Sequence, residues 1–356
     1  MNKSIQAGFS ILALGIAAPL AAQVVVPPLP PAECTGAQGN CAVIGQTTSG
    51  NTATVGQNGS GNAADIDQSS VNGDDTATVT QSGSGNLSRV DQRSARGSNT
   101  ATSTQSGTNS TAFITQAQGA FEDSATITQG TLADTNSATI TQNSSGASTN
   151  RAVILQDAGS GNTSTILQID DANIAENTQT GGDNVSLIDQ GGLPFFSGQA
   201  TAFVNQIGDS NISTVNQRTD GTGAVSVTQT GNTNSNLVNQ GTSAVATLNN
   251  FVLIQTGNRN SSTTNQGFNS DNNRANVLQQ GNDNVSTISQ QSFLSASGND
   301  IDLDQIADGA QSTISQAGGQ GNSAIVGQFG DAHVSSVSQT GNSHTAIVTQ
   351  GVRPAP

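Results

Sequence analysis

The chain has no tryptophan and no tyrosine, it has one methionine and two cysteines, and only 9% of its 356 residues are charged. Hydrophobic residues make up 32% of it, which is too little for the three-dimensional core of a conventional domain of this length. The net charge is −15, so the clustered positive charge that nucleic acids require is lacking. The remainder is chiefly Gly, Asn, Gln, Ser and Thr, which predicts either disorder or a repetitive architecture.

Long apolar runs are also lacking, except at the start. MNKS precedes GFSILALGIAAPLAA, and this order of charge, apolar stretch and small residues is typical of a secretory signal peptide. We assign residues 1–22 to that signal and residues 23–39 to a proline-rich leader that contains a cysteine loop. No later segment approaches the roughly 20 apolar residues that span a bilayer, so we expect a secreted, extracellular protein without membrane insertion.

The two cysteines, Cys34 and Cys41, stand seven positions apart in the leader and the first repeat. In an oxidising compartment this pair predicts one disulfide that closes a small loop. Free thiols are the alternative, and a metal site is disfavoured because no histidine lies nearby.

An alternating phrase, such as DTATVTQ at residues 75–81, recurs from residue 40 to residue 350 in 26 segments, each closed by glutamine. Two segments form a unit of 22–27 residues with one tight and one loose turn, a period typical of solenoids. The sequence therefore predicts an all-β, two-sheet β-solenoid of about 13 rungs, built from 26 short strands joined by tight Gly/Asn arcs. Its handedness stays open.

Within a segment, one set of alternate residues is nearly constant. It reads Asn, then Ala or Ser, then Val or Ile, then Gln, whereas the other set varies, so we expect the constant set to face inward. Buried amides are tolerated if each side-chain carbonyl accepts from the amide NH2 of its neighbour about 4.8 Å away. The residues that we predict for this inward amide ladder are Asn51, Gln57, Gln81, Asn86, Gln105, Gln129, Asn184, Gln190, Gln229, Gln255, Gln279, Asn284, Asn322, Gln328 and Gln350.

The connections between segments carry Gly and Asn where a sharp arc needs them, as in QTGNTN at residues 229–234. Residues 142–150 and 191–199 are irregular and predict surface bulges. The second of these would expose Pro194, Phe195 and Phe196.

The pattern Asn-x-Ala-x-Ile/Val-x-Gln followed by x-Gly-x-x-Asn resembles the curlin repeat, found in the subunits of curli, the extracellular amyloid fibres of biofilm-forming bacteria. The resemblance spans roughly residues 40–350. It implies a two-sheet β-solenoid, a periplasmic chaperone, export through a dedicated outer-membrane pore, nucleation by a minor subunit, and a role in biofilm matrix and adhesion. About 13 rungs exceed the number in the best-known members, which leaves major or minor subunit status open.

Both ends of the repeat are expected to be uncovered. The last segment runs into the tail of residues 351–356, which is too short for a covering helix, and the first follows only the leader. Open strand edges recruit another chain. We therefore predict that the terminal strands join copies head to tail into a homopolymeric fibre. Their inward residues are Ala42, Ile44 and Gln46 at one end and Ala346, Val348 and Gln350 at the other.

Catalysis finds little support in the sequence. His333 and His344, the only histidines, stand where Asn normally begins a segment, so they are interpreted as ladder members. No Ser-His-Asp arrangement or phosphate loop is present, and we expect neither an enzyme nor a cofactor.

Some outward charges and rows need separate interpretations. Asp300, Asp302 and Asp304 project from one strand and can attract a divalent cation, but calcium solenoids repeat such a motif in every rung. Arg89 is expected to stack over Asp65, and Asp91 over Asp67.

Outward threonines in early segments favour an ice-binding solenoid as an alternative, although the row breaks at Arg151. A monomeric carbohydrate-binding adhesin is the other alternative, for which only Phe supplies aromatic surface.

Overall fold

In a computed structural model, the described residues are 34, 39–71, 73–93, 97–117, 119–143, 149–169, 172–191, 199–218, 223–241, 248–267, 272–291 and 298–353. The predicted signal peptide of residues 1–22, most of the leader, the Pro194-Phe195-Phe196 bulge and the last three residues of the tail lie outside them. Among the described residues of the repeat region, the regular secondary structure is β, in 26 strands.

The strands alternate along the chain between two sheets. The odd-numbered strands are β1 (Cys41–Gln46), β3 (Ala63–Gln68), β5 (Leu87–Arg93), β7 (Thr111–Ala117), β9 (Ser137–Asn143), β11 (Thr163–Ile169), β13 (Val185–Gly191), β15 (Ile212–Gln217), β17 (Ser235–Gln240), β19 (Ser261–Gly267), β21 (Val285–Gln291), β23 (Gln311–Ala317) and β25 (Val334–Thr340).

The even-numbered strands are β2 (Thr52–Ser60), β4 (Thr76–Ser84), β6 (Thr100–Gln105), β8 (Ser124–Leu132), β10 (Arg151–Ala158), β12 (Ile174–Thr180), β14 (Thr201–Ile207), β16 (Ala224–Thr230), β18 (Asn250–Thr256), β20 (Arg274–Gln280), β22 (Asp300–Ile306), β24 (Ser323–Phe329) and β26 (Thr345–Gly351). We call these two groups the odd sheet and the even sheet.

Each sheet contains 13 strands in sequence order, and each strand pairs in parallel with the strand two positions along the chain. One odd and one even strand therefore make one rung, and the chain advances by one rung per turn. This confirms the two-sheet β-solenoid of 13 rungs that the repeat predicted.

The register aligns the same phrase position in successive rungs. Between β9 and β11, for example, Ala138 faces Ser164 and Gln142 faces Gln168. Ala, Val, Ile and Gln of the constant set are almost entirely buried away from the two ends, whereas most residues between them are half-buried or exposed, with Phe113 and Phe329 as buried exceptions. A slip by one residue would exchange these faces, so burial of the constant set fixes the register.

The interior is thin, and two polar substitutions at Val/Ile positions of the even sheet find a hydrogen-bond partner in the odd sheet. Ser103 occupies a Val/Ile position in the even sheet, and its Oγ accepts from Ser88 Oγ of the odd sheet at 2.8 Å. Asn177 occupies another such position and donates from Nδ2 to Ser164 Oγ at 2.7 Å. Each polar side chain thereby gains a partner, as burial requires.

The tight arcs bring the backbones of successive rungs very close together. Gly231 has φ of 112°, and a Cβ at that position would overlap the carbonyl group of Gly257 in the next rung. Only glycine permits both the positive φ and this close approach, which explains why the arcs keep it.

Candidate functional site

The glutamines that close the segments form one continuous ladder in each sheet. Except in the last rung, Nε2 of each ladder glutamine donates to Oε1 of the glutamine in the next rung toward the C-terminus, over distances from 2.7 to 3.1 Å. Examples in the even sheet are Gln229 to Gln255 at 2.8 Å and Gln255 to Gln279 at 2.7 Å. All these bonds point the same way, so each ladder has a donor end and an acceptor end.

The second N–H of the glutamines connects the two sheets. Gln81 of the even sheet donates to the backbone oxygen of Ala63 in the odd sheet at 3.0 Å, and Gln190 of the odd sheet donates to Ile174 O in the even sheet at 3.0 Å. A single buried amide thus satisfies a neighbour above, a neighbour below and the opposite sheet. Such full satisfaction removes most of the cost of burying it.

The asparagines that open the segments make the predicted amide-to-amide bonds at some rungs, as in Asn211 Nδ2 to Asn184 Oδ1 at 3.1 Å, and they add bonds to the backbone that we did not predict. Asn184 Oδ1 accepts the backbone N–H of Asn211 in the next rung at 2.9 Å, and Asn184 Nδ2 donates to Gly208 O at 2.7 Å. Amide-to-amide bonds, such as Asn234 Nδ2 to Asn211 Oδ1 at 3.1 Å, occur in addition at some rungs. The shorter side chain keeps its amide beside the arc, where backbone groups need partners.

The predicted ladder residues fall into these two sets. The even-sheet glutamine ladder contains Gln57, Gln81, Gln105, Gln129, Gln229, Gln255, Gln279, Gln328 and Gln350, and the odd-sheet ladder contains Gln190. The segment-opening set contains Asn86, Asn184 and Asn284 in the odd sheet and Asn51 and Asn322 in the even sheet.

A further ladder runs along the tight arcs, and our reading of the sequence missed it. The backbone N–H of Asn232 donates to Asn258 Oδ1 at 2.9 Å, and that of Asn258 donates to Asn282 Oδ1 at 3.0 Å. Asp209 and Asp308 extend the row at either side. The signal was available as an Asn or Asp directly after the arc glycine, or after Ala307 in the last case, in consecutive tight arcs.

The two ends of the solenoid leave the glutamine ladders open with opposite chemistry. We call strands β1 and β2 the N-terminal end and strands β25 and β26 the C-terminal end. Gln46 and Gln57 donate to the second rung, and no described rung lies before them to donate to their Oε1 atoms. Gln339 and Gln350 accept from the rung below, and no described rung follows to accept their ladder N–H.

The backbone at the two ends is also complementary. Cys41 N donates to Asn62 O, and Ser323 N donates to His344 O, each at 2.8 Å, so the first outward residue of a strand bonds toward the following rung. Residues of a parallel strand bond alternately to their two neighbours. The unpaired backbone groups of β26 therefore belong to its outward residues, and those of β1 belong to its inward residues.

This alternation separates the predicted terminal residues into two kinds. Ala42, Ile44 and Gln46 carry the unpaired backbone groups of β1, and Ile44 is 46% exposed because no described rung covers it. Ala346, Val348 and Gln350 lie in β26, but their backbone groups bond to β24 beneath them. The groups of β26 that face open space are those of Thr345, Ile347 and Thr349.

The described residues on either side of the repeat do not cover the end surfaces of the solenoid. Cys34 and Cys41 are joined by a disulfide, and Cys41 is the first outward residue of β1. At the other end Arg353 stacks over the Phe329 ring, 5.8 Å from its centroid, and its Nη2 lies 3.6 Å from Asp304 Oδ2. The described part of the tail thus folds back along the outer side of the even sheet.

Both histidines lie at the C-terminal end, one per sheet, where Asn opens other segments. His344 N donates to Asn322 Oδ1 at 3.0 Å, as Asn does elsewhere in the ladder. His344 Nε2 lies 3.0 Å from Thr340 O, and His333 Nε2 lies 3.2 Å from Phe329 O. His344 is exposed and His333 half-buried.

The outward charges connect rungs in pairs. Arg89 Nε lies 3.6 Å from Asp65, as predicted, and Asp91 is paired in register with Asp67. Arg93 was not predicted to take part, but it lies 2.9 Å from Asp67 and 2.8 Å from Asp91 and so holds both carboxylates. Burial raises the pKa of Asp91, and the Asp67 carboxylate adds to this rise, whereas Arg93 opposes it.

The acidic strand β22 is partly neutralised by arginine. Asp300 lies 3.7 Å from Arg274, and Asp304 lies near Arg353. Burial and the neighbouring Asp302 raise the pKa of Asp304. Within the described residues, no group of three or more His, Cys, Asp or Glu side chains is arranged to hold a metal ion.

The outward threonines of the even sheet stack in register from Thr76 to Thr100 and on to Ser124. Arg151 follows directly on Ser124, and Ile174 follows Arg151. The threonine surface therefore ends after the first few rungs, which matches the predicted break and leaves the ice-binding alternative without a broad plane.

A known family model matches the sequence at both ends of the solenoid. The family model of the Curlin associated repeat matches residues 38–69 and 319–351, which include the first three and the last three strands. The resemblance to the curlin repeat is thereby confirmed at these stretches, and curlin repeats are components of structural, extracellular fibre subunits. A search of curated proteins found no match to the chain. Across the part of the chain that the structure covers, we find no helix long and apolar enough to cross a membrane.

Proposed function

We propose that the protein is a secreted subunit that stacks head to tail into an extracellular, curli-like amyloid fibre for biofilm matrix and surface adhesion. The observation that carries this proposal is the complementarity of the two end surfaces. The C-terminal end offers the ladder N–H groups of its glutamines and the unpaired backbone groups of outward residues. The N-terminal end offers the ladder carbonyls of its glutamines and the unpaired backbone groups of inward residues. Such open, heterologous ends generate a filament that does not close.

The register inside the molecule defines how two copies meet. β25 of one copy pairs with β1 of the next, which places Ser335, Val337 and Gln339 against Ala42, Ile44 and Gln46. β26 pairs with β2 and places Ala346, Val348 and Gln350 against Ala53, Val55 and Gln57. These pairs repeat the Ala/Ser, Val/Ile and Gln positions found between rungs inside the chain.

The family matches support the same assembly. A monomeric solenoid requires terminal rungs that differ from the interior and carry a polar cap. Here the repeat model matches the two terminal stretches, so both end rungs are of the regular type. Residues 1–22 act as the export signal in this proposal, residues 40–350 as the fibre core, and a nucleator subunit, outer-membrane pore and periplasmic chaperone as partners.

Fibre formation by the purified protein, without its signal peptide, tests the proposal. We expect thioflavin-positive fibres after a lag, abolition of the lag by short fibre seeds, and diffraction spacings of about 4.7 and 10 Å. Protein that stays monomeric for days at high concentration, with or without seeds, would contradict the proposal and favour a monomeric surface-binding solenoid.

A further inference from the structure

The two histidines occupy the positions that a following copy would contact first. Inside the solenoid, a segment-opening Asn uses Oδ1 to accept the backbone N–H of the next rung, as in Ser110 N to Asn86 Oδ1 at 3.1 Å. In the last rung of each sheet this acceptor is replaced by imidazole, His333 in the odd sheet and His344 in the even sheet. The residues that would stand over them in a stacked copy are Asn40 and Asn51.

The hydrogen bonds of the rings fix which nitrogen carries the proton. Thr340 O, 3.0 Å from His344 Nε2, can only accept, so Nε2 must be the protonated nitrogen. The same reasoning applies to His333, whose Nε2 lies 3.2 Å from Phe329 O. In a neutral ring Nδ1 is then unprotonated and carries an available lone pair.

The orientation of the ring places Nδ1 where Asn has its acceptor. A segment-opening Asn can donate from Nδ2 to the carbonyl four residues earlier, as Asn86 does to Ser82 at 3.0 Å, and His344 Nε2 makes the same backbone contact. Cδ2 and Nε2 of His344 lie on the side of Gly341. Nδ1 is bonded to Cγ on the opposite edge of the ring, in the place that Asn gives to Oδ1.

We infer that His344 and His333 accept the backbone N–H groups of Asn51 and Asn40 of the next copy, and that their protonation blocks the junction. An imidazolium has N–H at both ring nitrogens, so Nδ1 then faces a backbone N–H as a second donor. Histidine is the residue type that changes charge between about pH 5 and 8. Fibre growth is therefore expected to slow as the pH falls through that range. This inference rests on the proposed head-to-tail assembly.

The charged groups around the two rings are few. Asp331 lies on the arc of His333, Asp308 lies on the arc beneath it, where Ala332 N donates to Asp308 O at 2.8 Å, and Arg353 follows β26 nearby. The arc of residues 340–344 and the arc of residues 318–322 beneath it contain no other titratable side chain. In the incoming copy, Asp75 lies one rung beyond Asn51, where its backbone N–H donates to Asn51 Oδ1 at 3.1 Å, and Asp74 precedes it in the chain.

Seeded elongation rates of three proteins test the inference at about pH 7.5 and about pH 5. Wild type is expected to elongate roughly tenfold more slowly at the lower pH, since a buried donor loses its acceptor. His333→Asn with His344→Asn restores the usual acceptor and keeps every carboxylate, so it should lose most of this slowing. Lowering the pH also brings the chain closer to its pI of about 4.1, and the smaller net charge by itself favours association. A general charge effect would therefore speed elongation in acid, whereas histidine protonation is expected to slow it.

His333→Ala with His344→Ala is the matched variant, because Ala310 and Ala200 already open segments inside the fold. It should elongate slowly at both pH values, and circular dichroism of each variant checks the fold. Equal pH ratios for wild type and the Asn variant, or wild-type speed of the Ala variant near pH 7.5, would overturn the inference alone. Failure of wild type to elongate at either pH would instead overturn the proposed assembly, and this inference with it.

Discussion

At the scale of single residues, the glutamine ladder explains how a chain with so little hydrophobic surface holds a defined interior. Gln206, Gln229 and Gln255 are fully buried, and each is bonded to the next. The amides take over the role of fixing register, because a glutamine out of line would leave unpaired groups both above and below it.

We predict that Gln229→Ala lowers the free energy of unfolding of the monomer by about 2–3 kcal/mol. The substitution removes the acceptor of Gln206 Nε2 and the donors to Gln255 Oε1 and Ile212 O. Denaturant unfolding measures the loss. Gln279→Ala should behave alike, and the outward Thr228→Ala is the control, expected to change stability by less than about 0.5 kcal/mol. Equal effects at both kinds of position would contradict the inward assignment.

Some interior residues are less than optimal for the fold. Asn177 lies between Ile154 and Val204 in the even sheet, and its Oδ1 has no hydrogen-bond partner. We predict that Asn177→Leu combined with Ser164→Ala stabilises the monomer by about 1–2 kcal/mol, because it removes an unsatisfied buried oxygen and adds apolar contact. A lower midpoint of denaturant unfolding for the double variant would argue against this account of the core.

Arg93 offers a prediction that depends on pH. The pKa of Asp91 is already raised by burial, and loss of Arg93 raises it further, since only Arg89 then opposes the like charges of Asp67 and Asp65. Arg93→Ala should therefore destabilise the protein by about 0.5–1 kcal/mol at neutral pH. The penalty should shrink as the pH falls through the raised pKa and Asp91 becomes neutral, and only the part due to the ion pair of Arg93 with Asp67 should then remain. Unfolding of both proteins between pH 3 and 7 measures it, and a penalty independent of pH would contradict the electrostatic cause.

The inward position of the glutamines was easier to predict from the sequence than the contacts of the other polar residues. Their strict spacing and alternation with Thr or Ser identify the inward face without any structure. The backbone contacts of Asn184 could not be predicted from spacing, because they depend on how far the arc backbone lies from a side chain one methylene shorter than glutamine. The double contact of Arg93 also depends on where the chain leaves β5, which the repeat does not specify.

At the scale of elements, each strand has one edge that pairs with the previous rung and one that pairs with the next. In β26 the backbone N–H and C=O groups of the outward residues Ile347 and Thr349 lie at the unpaired edge. Those of the inward residues Ala346 and Val348 are hydrogen-bonded to β24. The sequence predicted which strands are terminal. It did not predict which residues carry the free edge, because that requires the direction of the hydrogen bonds.

Proline substitutions distinguish the two edges. Ile347→Pro with Thr349→Pro removes N–H groups that only a following copy would use, and we predict that this variant folds but terminates growth. Added in small amounts to growing wild-type fibres, it should dock through its intact N-terminal end and stop extension there. Ala346→Pro with Val348→Pro instead removes bonds to β24 and should loosen the last rung of the monomer. Unchanged growth in the presence of the first variant would contradict the assigned edge.

At the scale of the whole molecule, the solenoid is a short length of the fibre that it is proposed to build. The glutamine ladders have a single polarity from Gln46 to Gln339 and from Gln57 to Gln350, so stacked copies would inherit one direction of growth. Composition and period predicted this architecture because every rung repeats the same few positions. The stretches of sequence that interrupt the repeat pattern, including residues 191–199, follow no such rule.

The most direct test of the central claim is a helical reconstruction of the fibres by electron cryo-microscopy. The account predicts parallel strands stacked about 4.8 Å apart without interruption, one chain for every 60 Å or so of axis, and β25 and β26 of one copy paired with β1 and β2 of the next. Gln339 should then donate to Gln46, and Gln350 to Gln57, across each junction. Fibres in which chains associate side by side, or in which the two ends of the solenoid face solvent, would contradict it.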